Sequence, residues 1–510
     1  MKISPLALLI LISVLIRMCI ASLIEFGNDE VYYYTYALHL QSNYFDHPPG
    51  VALLIRLSTL NLLLQNEFFV RLGPIICSAI GTLLSYKIGH LIKNIKTGYY
   101  AAILYNTSIY TSIISGVFIL PDSPQVVFWL CGIGLALKIA ILSQQKKPIP
   151  LLIWLLFGLT CGLCMMCKVH GVFLWFGLGL YILLYDRKLL GRPLLYVSAI
   201  ISILVFSPVI IWNINNQFVT WNFHSNRINE SVSLINLTTF TKAFMGQLFY
   251  NNPINVVLTV VALFHLRKVA LLEKSSGKIL ICLGLPIIIV TIYISLFNNV
   301  LPHWSGPGFL TLSFIAAAYL DTISLTSLKQ TTLILKSSII MIITVIIAGV
   351  SVINVYPGTL GKTNEKEFGK GDFTLDMWGW REFEKQYAVY INQQKILKND
   401  LPRKIVCNKW FPAAHIEYYV ARPLQNEVIG IGSLKNLHHY VWLNQYRTGL
   451  KRGEKAICIV PGNYPENVKE VYSSYFSSIK LLKVFPLYRG GKRTKIISVY
   501  LLSDYQGQVD

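Results

Sequence analysis

Between residues 25 and 50 the chain reads EFGNDEVYYYTYALHLQSNYFDHPPG, which sets Glu25, Asp29, Glu30, Asp46 and His47 beside a run of tyrosines and between two strongly apolar regions. One or two such groups would be ordinary in an exposed loop. Several of them bracketed by membrane-seeking sequence describe a reactive pocket at a bilayer surface. A carboxylate there can take a proton from an acceptor hydroxyl, and a cation can hold the phosphate of a leaving group. Asp29 or Glu30 suits the first role, and Lys168 or Arg227 the second. Asp46, His47, Asp122, His170, His224 and His303 complete the candidate set, because each falls in a connection expected on the same side of the membrane. Plainer roles stay open: Asp29 as a helix cap, Asp122 as the N-cap of the helix that follows it, Lys168 as an interfacial lysine, and His224 and His303 as solvated or structural rings.

The elements that must position these residues are apolar blocks about as long as a bilayer is thick. The chain has 510 residues, 54% of them hydrophobic and 14% charged, with a mean hydropathy of +0.52. Crossings are expected at 4–24, 69–92, 99–120, 125–142, 149–166, 169–185, 193–212, 253–266, 279–297, 305–320 and 332–356, or about 11 transmembrane helices. Residues 51–64, interrupted by Arg56 and Ser58, read as an interfacial helix. The first block is read as a retained helix and not a cleaved signal, since more apolar blocks follow at once.

The formal net charge of +21 could point to nucleic acid, but its distribution argues against that partner. In residues 1–352 the excess lies in short connections on alternate sides, which places the N-terminus inside and residues beyond 356 outside. The crossings carry few charges beyond Arg17, Lys87 and Lys138, which disfavours a transporter or flippase of lipid-linked sugar. From residue 357 the pattern changes to short alternating runs. Strands are expected at 404–410, 427–432, 455–461, 479–489 and 495–503, with helices at PAAHIEYYVA and PENVKEVYSSYF. The expected domains are therefore a membrane domain over 1–356 and a soluble α/β domain over 357–510. Cys161, Cys164 and Cys167 read as packing residues on a helix face, while Cys407 and Cys458 could pair if their domain is outside the cytoplasm.

Six segments then carry a resemblance: GNDEVYYYTYA (27–37), YFDHPPG (44–50), FILPDSPQVVFW (118–129), GLCMMCKVHG (162–171), PVIIWNINNQFVTWNFH (208–224) and LPHWSGPG (301–308). Together, and in this order, they resemble the C-type glycosyltransferase superfamily, in the bacterial branch related to dolichyl-phosphate-mannose protein mannosyltransferases and to the lipid A aminoarabinose transferase. DFTLDMWGWREF (372–383) and NKWFPAAHIEYYVARP (408–423) resemble the same branch. The resemblance implies a polytopic enzyme of the inner membrane with a periplasmic C-terminal domain. It would move a sugar with inversion from polyprenyl phosphate, in bacteria undecaprenyl phosphate, to lipid A or another outer-leaflet glycolipid, with protein O-glycosylation as the alternative. It further implies Asp29 as general base with Glu30 beside it, Asp122 as the acid that organises the site, and Lys168 near the donor phosphate. Asp46, His47, His170, His224, Arg227 and His303 are expected around the substrates. The chain is expected to work as a monomer among membrane lipids and without an obligatory metal, a divalent cation between the carboxylates and His47 or His224 being the other option.

Overall fold

The computed structural model describes residues 4–229, 235–266, 271–397 and 401–507. They form two compact units. The first comprises residues 1–21 and 40–346, the second residues 22–39 and 347–510. The stretch 22–39, expected with the membrane domain, thus packs with the C-terminal residues, and the division near residue 346 precedes the expected one at 356.

In the first unit the helices begin where polar caps precede apolar runs. Helix α1 (Pro5–Leu23) leads the chain, and the helix Asn28–Leu38 (α2) belongs to the second unit. After α3 (Gly50–Ser58), Asn66 accepts from the Phe69 N–H to start α4 (Glu67–Ile92), and Asn94 accepts from the Thr97 N–H to start α5 (Ile95–Thr107). The series continues through α6 (Asp122–Gln144), α7 (Leu151–Cys167), α8 (Val172–Tyr185), α9 (Pro193–Asn215) and α10 (Val219–Asn229). It closes with α11 (Leu237–Tyr250), α12 (Pro253–His265), α13 (Lys274–Ser295), α14 (Gly306–Thr326) and α15 (Leu328–Val355). Among the described residues seven helices are long and apolar enough to cross a membrane, or eight if α11 and α12, bent by 92°, make one span; 151–167 and 169–185 are shorter apolar helices. The expected crossing at 99–120 is interrupted: α5 ends at Thr107 and a single π-turn follows at Tyr110–Ile114.

Small residues let α7 and α9 approach closely. A Cβ on Gly158 would lie 2.2 Å from the Ser198 carbonyl oxygen. The Ser198 and Ser202 hydroxyls donate to the Trp154 and Gly158 carbonyls at 2.8 and 2.6 Å. Arg17 is buried and donates to the Ser112 carbonyl and to Asn106 Oδ1, which ties α1 to the π-turn.

The second unit is built on a five-stranded sheet of β1 (Lys404–Cys407), β2 (Glu427–Gly430), β3 (Ala456–Pro461), β4 (Phe476–Arg489) and β5 (Lys492–Tyr505), in the order β2-β1-β3-β5-β4. β1 runs parallel to β2 and β3, whereas β5 is antiparallel to β3 and β4. All five strands correspond to expected ones. The helix α16 (Trp380–Ile396) does not, although Trp380, Phe383, Tyr387 and Tyr390 repeat at helical spacing and are all buried. Cys407 and Cys458 are free, buried thiols and form no disulfide.

Candidate active site

Asp122 stands in the first turn of α6, directly after its cap residue Pro121, so it is not the N-cap itself. Its carboxylate is buried and shared between two donors. Lys168 Nζ donates to Oδ2 at 2.7 Å, and the Tyr110 hydroxyl donates to Oδ1 at 3.1 Å. The π-turn supplies Tyr110 and the end of α7 supplies Lys168, whose extended backbone (φ −156°, ψ 134°) breaks the helix there. Both members of the ion pair are almost wholly enclosed, with 4% and 2% of their side chains exposed. A buried pair of this kind fixes the ammonium in space.

Histidines surround the pair. His303 Nε2 lies 4.0 Å from Asp122 Oδ2, and the His303 ring faces Tyr250 at 6.4 Å between centroids. His170, two residues after Lys168, packs against Trp304 at 5.5 Å, and its Nδ1 is buried with no hydrogen-bond partner. His47 and His224 have ring centroids 6.0 Å apart, and His224 Nε2–H donates to the Asp46 carbonyl at 2.8 Å. Burial, followed by the neighbouring His224 and Lys168, pushes the His47 imidazole well below its usual pKa. Asp46 contributes its backbone carbonyl to the contact with His224. The side chain of Arg227 lies outside the described residues.

Gly50, which closes YFDHPPG, explains how this motif meets Lys168. A Cβ there would stand 2.7 Å from Cys167 Cα and 2.9 Å from both Cys167 Sγ and the Met166 carbonyl oxygen. Only glycine lets the start of α3 rest on the last turn of α7, one residue before the lysine. Sequence reasoning missed Tyr110 and Gln125. The latter lies three residues into α6 from Asp122 and has both amide atoms buried without a partner; its signal was a glutamine inside an apolar helix. Among the described residues no three His, Cys, Asp or Glu side chains come together in a metal-holding group.

Asp29 and Glu30 belong to the second unit, in the first turn of α2. Glu30 is buried and accepts from the Gly27 N–H at 3.0 Å, closing the turn that starts the helix. Glu25 caps another helix: its two carboxylate oxygens accept from the Trp380 and Arg381 N–H groups at 2.7 and 3.2 Å, and burial raises its pKa. Asp29 is exposed. The surrounding wall is aromatic, with Tyr32 against Trp410 at 4.8 Å, Phe26 against Tyr418 at 4.9 Å, and Trp380 stacked on His415 at 4.5 Å. Lys495 Nζ sits 3.8 Å above the Trp380 ring and donates to the Leu375 and Trp378 carbonyls; burial lowers its pKa to about 7.

Comparison with known proteins agrees with this architecture. Residues 46–212 match the profile of the dolichyl-phosphate-mannose-protein mannosyltransferase family. Two crystal structures of ArnT from Cupriavidus metallidurans superpose over 96% of this chain and 97% of theirs. The one bound to undecaprenyl phosphate has a TM-score of 0.64 at 11% identity, and the apo one 0.65 at 10%. No sequence among the curated proteins matches. The fold is that of the C-type glycosyltransferases, as the motifs implied.

Proposed function

We propose that the protein is an inverting glycosyltransferase that takes a sugar from a polyprenyl-phosphate donor, undecaprenyl phosphate in a bacterial inner membrane, and passes it to lipid A or another outer-leaflet glycolipid. The observation that carries this reading is the buried Lys168–Asp122 pair, which holds one ammonium in place with His303 4.0 Å from the carboxylate. An anionic phosphate entering there would take Lys168 as its partner, and the lysine would stabilise the charge that develops as the sugar–phosphate bond breaks. The likeness to a protein whose structure holds undecaprenyl phosphate supports the donor class.

In the reaction an acceptor hydroxyl oxygen forms the new bond to the anomeric carbon on the face opposite the phosphate. The carbon–oxygen bond to phosphate breaks with its electron pair, and polyprenyl phosphate leaves. The hydroxyl proton passes to a carboxylate, assigned to Asp29 on its motif and its exposure. Glu30 supports the turn that carries Asp29. The N-terminus is assigned to the cytoplasm and the second unit to the periplasm. A protein acceptor is the second reading, favoured by the mannosyltransferase profile.

Incubation of the purified protein with undecaprenyl-phosphate sugars and either lipid A or peptide, followed by mass spectrometry, identifies the product. Asp29→Asn is expected to keep donor binding and fold while losing transfer. Turnover at the wild-type rate in that variant would sink the assignment of the base.

A further inference from the structure

The second unit contains a cavity of about 400 Å³, within the roughly 300–1,000 Å³ of small-molecule sites. Its walls include the residues that follow the carboxyl ends of the parallel strands β1 and β3, among them Asn408, Lys409, Asn463 and Tyr464. The chain leaves β1 toward β2 on one side and returns to β3 on the other. The cavity therefore occupies the switch point of the parallel sheet, where α/β domains bind ligands.

Its chemistry narrows the ligand. Asn463 is 4% exposed and gives its amide N–H to Asp376 Oδ1 at 3.3 Å, while its Oδ1 is buried with no hydrogen-bond partner. That oxygen asks for a donor from a bound molecule. Asp376 also accepts from the Tyr464 hydroxyl at 3.0 Å, and the Tyr464 ring stands edge-on to Phe411 at 4.2 Å, so an aromatic surface adjoins the polar cluster. Phosphate is poorly served. Neither β1 nor β3 is followed by a glycine-rich loop whose N–H groups would cradle a phosphate.

We propose that this crevice binds a neutral, hydroxyl-rich ligand, a saccharide, with its hydroxyls on Asn463 and Asp376 and a sugar face on Tyr464. The carboxylate, the amide carbonyl and the aromatic ring are what a pyranose offers partners to: O–H donors around a rim and C–H groups on a face. The proposal stands apart from the role given to Lys168.

The test is saturation-transfer NMR on the full chain in lipid nanodiscs free of glycoside detergent, with glucose, galactose, mannose and N-acetylglucosamine as neutral probes and AMP as the phosphate probe. At least one neutral sugar is expected to bind. Binding should weaken about tenfold in Asn463→Leu, the loss expected when a buried acceptor is removed. It should weaken as far in Tyr464→Ala. Should Asn463→Leu fail to fold, Tyr464→Ala decides, because that side chain is 38% exposed. Silence from all four sugars, undiminished binding in Tyr464→Ala, or AMP displacing the sugar would overturn the proposal.

Discussion

Replacing Asp122 by Asn leaves the shape of the first unit's site intact and removes a charge. At 2.7 Å, with an effective dielectric near 20, the attraction between the two groups is about 6 kcal/mol before desolvation is counted. Breaking a buried pair from one side costs about 3–5 kcal/mol, since the remaining charge stays enclosed without its counter-ion. Asp122→Asn should therefore unfold at markedly lower SDS in a mixed-micelle titration, while Asp122→Leu with Lys168→Met recovers much of that stability. Ligand binding should separate the two members differently. Lys168→Met removes the ammonium and is expected to weaken undecaprenyl phosphate binding by roughly 10- to 150-fold, the equivalent of one charged hydrogen bond. Asp122→Asn leaves the ammonium in place and should retain phosphate binding while losing stability. An Asp122→Asn protein within about 1 kcal/mol of wild type would show a solvated pair. Normal phosphate binding by Lys168→Met would remove the basis for placing the donor there.

Two further outcomes follow from named contacts. Gly50→Ala brings a Cβ to 2.7 Å from Cys167 Cα and must displace either α3 or the end of α7. It should weaken undecaprenyl phosphate binding although residue 50 carries no functional group, and unchanged affinity measured by equilibrium binding would show that the helix end yields without moving Lys168. In the second unit, burial and then Lys495 depress the His415 pKa to about 3, and its Nε2–H donates to the Phe26 and Asp376 carbonyls. A pKa lowered on folding contributes stability that is complete above about pH 6.5 and is lost as the pH falls toward 3, at about 1.4 kcal/mol per unit. Asp376 works in the opposite sense, because burial raises its pKa to about 6, so the effect is read as a difference. Hydrogen-exchange protection factors across residues 410–421, taken relative to the intrinsic exchange rate at each pH, should fall between pH 6 and 4 more in wild type than in His415→Gln, and an equal fall in both would refute the assignment.

How far the sequence reveals this molecule depends on the range of the interactions involved. Apolar blocks and alternating strands are local patterns, and the structure has helices and all five strands where those patterns fall. The break between α11 and α12 was also written locally, in the run NNP: Asn252 takes a positive φ of 62° and caps α12 with its own side chain. By contrast, the Phe26 N–H donates to the Tyr419 hydroxyl 393 positions away. No periodicity reports that residues 22–39 fold with the C-terminal sheet. The motifs DFTLDMWGWREF and NKWFPAAHIEYYVARP held the other half of that information, since they supply the backbone and rings that receive Glu25, Phe26 and Tyr32.

The same long-range packing separates three carboxylates that look alike in the sequence. Glu25 spends both oxygens on the first N–H groups of α16, and Glu30 gives one to the turn that starts its own helix. Each is buried and bound to the backbone, where loss of the acceptor would unsettle a helix end. Asp29 lies between them in sequence and is exposed. A general base must reach its substrate's proton and exchange it afterwards. Of the three carboxylates, Asp29 is the one whose exposure fits the base role proposed for it, and Glu30 closes the turn that carries it.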